Sequence, residues 1–495
     1  MDLFVNQTAR LLKTASCIGA LALAGMTGPA QAETLRDALV AVYNTNPTLE
    51  AARATQRATD EGVPIAQAPG LPGVDVTATH IEFLRKSANS FTAPDRNLGI
   101  NAQLAVPIYS GGAIRNSVNA AEERVSAGQA DLRGTESSVF SQTVAAYMDV
   151  LRTEALAELA ANQVEVLEVT FQSTSDRFEI GDLTRTDVAQ SQSRLAVAQG
   201  DLRTAYANLI TARETYIRLV GRAPMGLEAP PPLPGLPERV EDAVVTALEN
   251  NPDLIAAKER ASAAGYDTDV AGAGRLPTVG VFANYDYSNF FGTLGGAVAS
   301  TLVQTESTAN AGVRVSIPIF QGGLPAARQR QAGARESAAL EQVIAAERNV
   351  IAQTRSAYAS WQASNEVIVS SKAAVDAAEL SLEGVRAENS IGNRTIIDVL
   401  NAEQELLFAR AQLVTARRNA YVAGFTLLAA MGKAEARDLN LDTGGPLYDP
   451  EVNYERVRGK FWDWDRDPEP APNATRTVDI APADALIGPT LNPDE

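Results

Sequence analysis

The chain has 495 residues and a formal net charge of −18, from 42 basic and 60 acidic side chains. That acid surplus argues against a basic nucleic-acid footprint, so no nucleic acid is expected among its partners. A single cysteine, Cys17, and a single histidine, His80, exclude disulfides, thiolate or multi-histidine metal sites and histidine-based triads, so no metal, cofactor or enzymatic chemistry is expected.

Residues 1–32 read as a secretory signal. Arg10 and Lys13 give a positive start, "IGALALAGMTG" a short apolar stretch and "AQA" at Ala30–Ala32 a small-residue cleavage site. A spanning helix needs about 20 apolar residues, more than this stretch offers. No later segment makes one either. An exported chain with neither helical span nor disulfide is a soluble periplasmic or secreted protein, or an outer-membrane β-barrel.

The rest of the chain is written twice. A first repeat covers 33–222, a Pro-rich linker 223–239 and a second repeat 240–437. "LRDALVAVYNTNPTLEAARA" (Leu35–Ala54) matches "VEDAVVTALENNPDLIAAKE" (Val240–Glu259), with Asn46-Pro47 over Asn251-Pro252 at an offset of 205. Both stretches predict helices.

Two alternating segments follow in each copy and predict strands. In the first, Val74, Val76 and Ala78 alternate with Asp75, Thr77 and Thr79; Leu98, Ile100, Ala102, Leu104, Val106 and Ile108 form the apolar face of the partner. In the second, Val279, Val281, Ala283, Tyr285 and Tyr287 share a face, with Phe282 an exception on the polar side. Its partner places Ala309, Ala311, Val313, Val315, Ile317 and Ile319 together. Runs of about ten residues suit tilted strands through a bilayer. His80, in the slot of Tyr285, reads as an interfacial residue. Four strands cannot close a membrane barrel, which takes about eight, and open edges are forbidden in lipid. Membrane strands would therefore require oligomers, a dimer with eight or a trimer with twelve. A soluble sandwich is the competing reading, though two hairpins make a poor one.

"VPIYSGG" (Val106–Gly112) matches "IPIFQGG" (Ile317–Gly323) at an offset of 211, which everything downstream keeps. Pro107, Gly111 and Gly112, with Pro318, Gly322 and Gly323, are the expected strand–helix joints. The glycine pairs lack the lysine and serine of a nucleotide loop.

Very long helices come next, from about Ala113 to Phe178 in the first copy. Beyond the turn, Val399, Leu406, Leu413, Ala420 and Leu427 recur every seven residues; Ala402, Ala409, Ala416, Ala423 and Ala430 repeat that period three positions on. This is a coiled-coil seam with alanine on one side. The turns are "IGDLTRTDVAQSQ" (Ile180–Gln192) and "IGNRTIIDVLNAEQ" (Ile391–Gln404), placing Gly181 over Gly392 and Asp187 over Asp398. Thr184-x-x-Asp187 and Thr395-x-x-Asp398 fit a capping box. Capping and lining a lumen are compatible roles for either aspartate. Residues 438–495 lie outside the repeat, are acidic and Pro-rich, and are expected to be partly disordered. Their "FWDWDRD" (Phe461–Asp467) could dock on the helices instead.

A signal, two homologous halves, "NP" in the first helix of each, a strand pair ending "PI[YF]xGG" and a helical hairpin turning at "IG" together resemble the TolC family of outer-membrane channel-tunnels, over 34–432. The resemblance implies a homotrimer mixing twelve membrane strands with a long periplasmic α-barrel. The IG turns would form the periplasmic tip, where a periplasmic adaptor and an inner-membrane efflux or ABC transporter dock. The cargo would be small toxic compounds or, by a type I route, unfolded proteins. Asp398 matches the first of two aspartates that ring the entrance in the family's best-known member, and Asn401 replaces the second. Arg394 matches an arginine that ties the entrance shut; Thr186 and Asp187 match its partners, and Asn389 stands where a tyrosine completes that lock. A periplasmic helical scaffold or adaptor without a barrel is the alternative.

Overall fold

The computed structural model describes residues 33–86 and 93–482. The signal reading over 1–32, Cys17, part of the first strand-to-strand loop and the end of the tail lie outside them.

Each repeat opens with two helices hinged at its Asn-Pro: α1 (Leu35–Thr45) and α2 (Pro47–Asp60), then α6 (Val240–Asn250) and α7 (Pro252–Ala273). In chain order the full set also holds α3 (Gly62–Gln67), β1 (Gly73–Glu82), β2 (Arg96–Tyr109), α4 (Ala113–Glu179), α5 (Arg185–Val220), β3 (Thr278–Asn289), β4 (Thr305–Ser316), α8 (Leu324–Ser390), α9 (Ile396–Ala430) and α10 (Pro450–Val457).

The asparagine explains the hinge. Asn46 Oδ1 accepts from Thr48 N at 2.9 Å and Leu49 N at 3.3 Å, capping α2, while proline at the first helical position pre-sets the backbone. Its Nδ2 donates to Leu219 O at 2.9 Å, tying the hinge to the end of the hairpin. Asn251 repeats the scheme: caps to Asp253 N (3.0 Å) and Leu254 N (3.3 Å), and a tie to Ala430 O at 2.9 Å. A second duplicated bond runs from Tyr147 Oη to Glu33 O (2.8 Å) and from Tyr358 Oη to Glu238 O (2.6 Å).

The two 67-residue helices α4 and α8 each extend about 100 Å at 1.5 Å per residue. Their return helices pack along the expected seam: Val399, Ala402, Leu406 and Ala409 of α9 lie against Val375, Ala378 and Leu382 of α8. The main core sits at the other end, where Leu39, Val42, Leu49, Phe140, Val144, Tyr147, Tyr216 and Phe425 bring both repeats together. Each such burial contributes about 1.5–3 kcal/mol.

The described part of the tail packs on the first repeat. Val457 of α10 is fully buried, Asn453 Nδ2 donates to Asp60 Oδ2 at 2.6 Å, and Arg53 lies between the rings of Tyr43 and Tyr448, 4.4 and 5.0 Å from their centroids. The tail up to α10 is thus a strap on the first repeat, while the end of the tail, part of the segment expected to be partly disordered, lies outside the described residues. The tryptophans do not dock: Trp462 and Trp464 are 67% and 74% exposed.

The strands form one antiparallel sheet in the order β1-β2-β3-β4. Its register sets like with like: Asp75, Gln103, Asn284 and Asn310 form one row, and Val76, Ala102, Tyr285 and Ala309 the next. β4 ends at Ser316, so Ile317 and Ile319 lie beyond the strand and are exposed, contrary to the alternation read from sequence. β4 is an outer strand and has only β3 to pair with, whereas β2 is held on both sides and runs on to Tyr109.

Candidate functional site

No helix among the described residues is long and apolar enough to cross a membrane. One face of the sheet carries Val74, Val76, Val281, Val313 and Val315, all exposed, with Tyr285 and Tyr287. The other is polar and internally bonded: Asn101 Nδ2 donates to Asp286 Oδ1 at 2.7 Å, and Asn284 Nδ2 to Asn310 Oδ1 at 3.2 Å. Phe282, the aromatic on the polar face, lies over Gly312, where a Cβ would stand 3.1 Å from its ring, and Arg314 stacks on it at 4.9 Å. A glycine opposite an aromatic lets the ring cover the strand without crowding. His80 sits near the end of β1 with its ring edge-on to Phe291 at 6.2 Å.

The joints are unequal. Gly111 and Gly112 have φ of +64° and +85°, and Gly322 and Gly323 repeat this at +61° and +82°. Such left-handed backbone favours glycine. Pro107, expected at the joint, lies inside β2 beside a register shift, opposite Gly280. A bulge is where a strand accommodates proline. Pro318 does lie in the segment between β4 and α8.

At the opposite end, both hairpins turn through the same backbone motif. Gly181 N donates to Phe178 O and Asp182 N to Arg177 O, both at 2.9 Å; Gly392 N donates to Asn389 O at 3.0 Å and Asn393 N to Glu388 O at 2.9 Å. With both glycines at φ +81°, each turn is a Schellman cap. The isoleucines before them, Ile180 and Ile391, are 81% and 71% exposed, leaving an apolar point on each turn.

The aspartates cap as the spacing predicts. Asp187 Oδ2 accepts from Thr184 N (2.9 Å) and Thr184 Oγ1 (2.7 Å), and Asp187 N donates back to Thr184 Oγ1 at 3.3 Å. Asp398 Oδ2 takes the same two bonds from Thr395 at 3.0 and 2.7 Å, while its own N–H goes to the Thr395 carbonyl at 3.2 Å. The hydroxyl and amide of Thr395, with Arg394 nearby, hold the Asp398 carboxyl below its ordinary range.

The lock expected from the resemblance is not assembled within one chain. Arg394 Nε donates to Glu388 Oε2 at 2.7 Å rather than to Thr186 or Asp187. Asn389 Nδ2 donates to Arg394 O at 2.8 Å, bracing the turn. Asn401 is engaged from the other repeat: Arg194 of α5 donates to its Oδ1 at 2.9 Å and also to Gln404 Oε1. Glu388 and Arg194 went unread in the sequence. Glu388 follows from its place beside the turn, but Arg194 has no local signal.

Residues 39–222 and 243–433, the two repeats almost whole, match the outer membrane efflux protein family. The chain is 33% identical over 438 residues to the outer membrane efflux protein BepC of Brucella suis biovar 1 (strain 1330), covering 88% of this chain and 93% of that one. Against the outer membrane protein TolC of Escherichia coli (strain K12) it is 26% identical over 434 residues, 85% and 86% of the two chains. Among solved structures, the Campylobacter jejuni CmeC outer membrane channel superposes with a TM-score of 0.71 at 16% identity, covering 86% of this chain and 89% of that one, which speaks to the fold. Amphipathic strands, duplicated hairpins and paired turns thus place the chain in the outer membrane efflux protein, or TolC, family: it is an outer-membrane efflux or secretion channel of a Gram-negative bacterium and not an enzyme.

Proposed function

We propose that three copies assemble into one gated exit duct, docked at its helical tip to a periplasmic adaptor and through it to an inner-membrane efflux or ABC transporter. The observation that carries this is the four-stranded sheet with an apolar face and two outer strands, β1 and β4, each paired on one side. Unpaired strand edges are not tolerated in lipid, and about eight strands is the smallest membrane barrel. Three chains supply twelve, with the valine–tyrosine face toward outer-membrane lipid and the Asn101–Asp286 face toward the lumen. Exposed Leu340, Ile344, Val367 and Val369 along α8 support burial against a neighbouring copy.

The duct does no chemistry; the transporter supplies the energy. The exposed isoleucines beside Gly181 and Gly392 give an adaptor an apolar foothold on each turn. Asp398 is the pore-constriction residue, a ring of three carboxylates whose negative charge attracts cations, and Arg394, Asp187, Thr186, Asn389 and Asn401 surround it as gating residues. BepC is named for efflux, and this cargo class is the one assigned here.

The test uses the purified full chain. Oligomers that resist detergent until heated should appear in outer-membrane fractions, and Asp398→Ala should lower cation preference in planar bilayers. A monomer that forms no channel would sink the assembly; unchanged selectivity would remove Asp398 from the constriction.

A further inference from the structure

Near the tip, the two hairpins of one chain meet through α4, α5 and α9. Leu400 of α9 is buried among Val164, Leu167 and Ala198 of the first hairpin, with Leu195, Leu202 and Ile396 packed alongside. The next residue along α9 is Asn401. Arg194, on the first hairpin, reaches across and grips both Asn401 Oδ1, at 2.9 Å, and Gln404 Oε1. The two acceptors are three residues apart and therefore neighbours on one face of α9, which a planar guanidinium fork can span.

This tie differs from another polar contact that joins the hairpins. Toward the main core, Arg418 of α9 donates to Asp149 of α4 at 2.9 and 3.1 Å, a bidentate ion pair. A carboxylate partner makes that contact the stronger. Arg194 binds neutral amide oxygens, so its charge is not cancelled there. The connection between hairpins is thus firm near the core and lighter near the tip.

The tie also runs one way only. At an offset of 211, Arg194 corresponds to Glu405, and Gln190 and Ser193 correspond to Asn401 and Gln404. The duplicated chain holds no mirror copy of it, so it arose on the contact between the repeats and not from the repeat plan.

We propose that Arg194 is the latch that holds the second-repeat hairpin against the first at the tip, a positioning residue whose release lets α8 and α9 swing away and widen the entrance. This rests on the gated-duct reading above. The buried Leu400 seats the hairpin and the guanidinium fork keeps it seated. With neutral acceptors the latch is weaker than an ion pair.

The test is the resting conductance of the full-length channel in planar lipid bilayers, with heat-modifiable oligomers confirmed for each variant. Arg194→Ala and Asn401→Ala should each raise resting conductance by roughly threefold or more, a modest shift for a part-exposed contact. The double variant should do no more than the singles, because both remove one contact. Arg194→Lys, which keeps the charge and loses the fork, should rise as well. Single variants at parental conductance, or effects that multiply independently, would overturn the latch. Should the alanine variants fail to assemble, Arg194→Lys decides alone, since conductance equal to the parent contradicts the proposal. A parent chain that assembles no conducting channel would instead refute the gated duct itself.

Discussion

The two long helices have the same length and the same sequence plan, yet α4 buries twenty side chains and α8 only eight. The first copy's α4 is wrapped by α1, α2, α3, the strap through α10 and also α7 of the second copy. The second has α6 and α7 on it, with no counterpart of the strap, and leaves Leu340 and Ile344 exposed. A duplicated sequence therefore fixes the local devices twice over but not their surroundings. Caps, hinges and turns are identical between the copies because they need only nearby residues. Burial differs because it needs neighbours.

The paired hinges give the largest test of that contrast. Asn46→Ala removes two caps and orphans the carbonyl of buried Leu219, and should cost about 2–4 kcal/mol. Asn251→Ala removes the same bonds, but Ala430 is only part-buried, so the loss should be about 1 kcal/mol smaller. Urea unfolding followed by tryptophan fluorescence would compare them. Equal costs would show that burial around the hinge contributes nothing.

A smaller effect on the chain, though not on its assembly, is expected from Ile344→Glu. Residue 344 is exposed on the chain, so helix content should stay, within about 0.5 kcal/mol of stability. The detergent-resistant oligomer should be lost, because a carboxylate would be trapped without a partner. An intact oligomer would mean that this side of α8 faces solvent.

The smallest effect is a pH response at a contact between the copies that the repeat does not duplicate. Glu123 of α4 shares a hydrogen bond with Glu259 of α7, and this, with desolvation and the neighbouring carboxylates, raises its pKa from 4.5 to about 7. A raised acid pKa means that the folded state holds the proton more tightly. The contribution is full below 4.5 and is lost as pH rises through about 7. Protection factors along α4 near Glu123, from which the intrinsic rise of exchange with pH is removed, should therefore fall between about pH 6 and pH 8, and Glu123→Gln should abolish the fall. The second copy has Ala334 at this position and should show no such response. A matching response there would break the contrast.

Much of this was legible in the residues. The glycines of the IG turns, the Thr-x-x-Asp caps and the alanine seam of α9 follow from local rules and stand where the spacing predicts, whereas each Asn-Pro, read inside one helix, splits it in two. The end of β4 did not, because alternation continues through Ile317 and Ile319 while pairing stops with the neighbouring strand. Pro107 was misplaced for the same reason: its bulge is a property of two strands, not one. The packing of the tail's start was not legible because its composition resembles disorder, while Tyr43, Asp60 and Arg53 provide a surface for Tyr448 and Asn453 to bind.

By itself the sequence determined the duplication, the turns and the sidedness of the strands, since periodicity and capping act over a few residues. Only the tertiary structure decided what crosses between the copies. Arg194 reaching Asn401, Arg418 reaching Asp149 and the strap closing over Arg53 join residues hundreds of positions apart. No local pattern encodes such pairs, because their geometry exists only after both hairpins have packed.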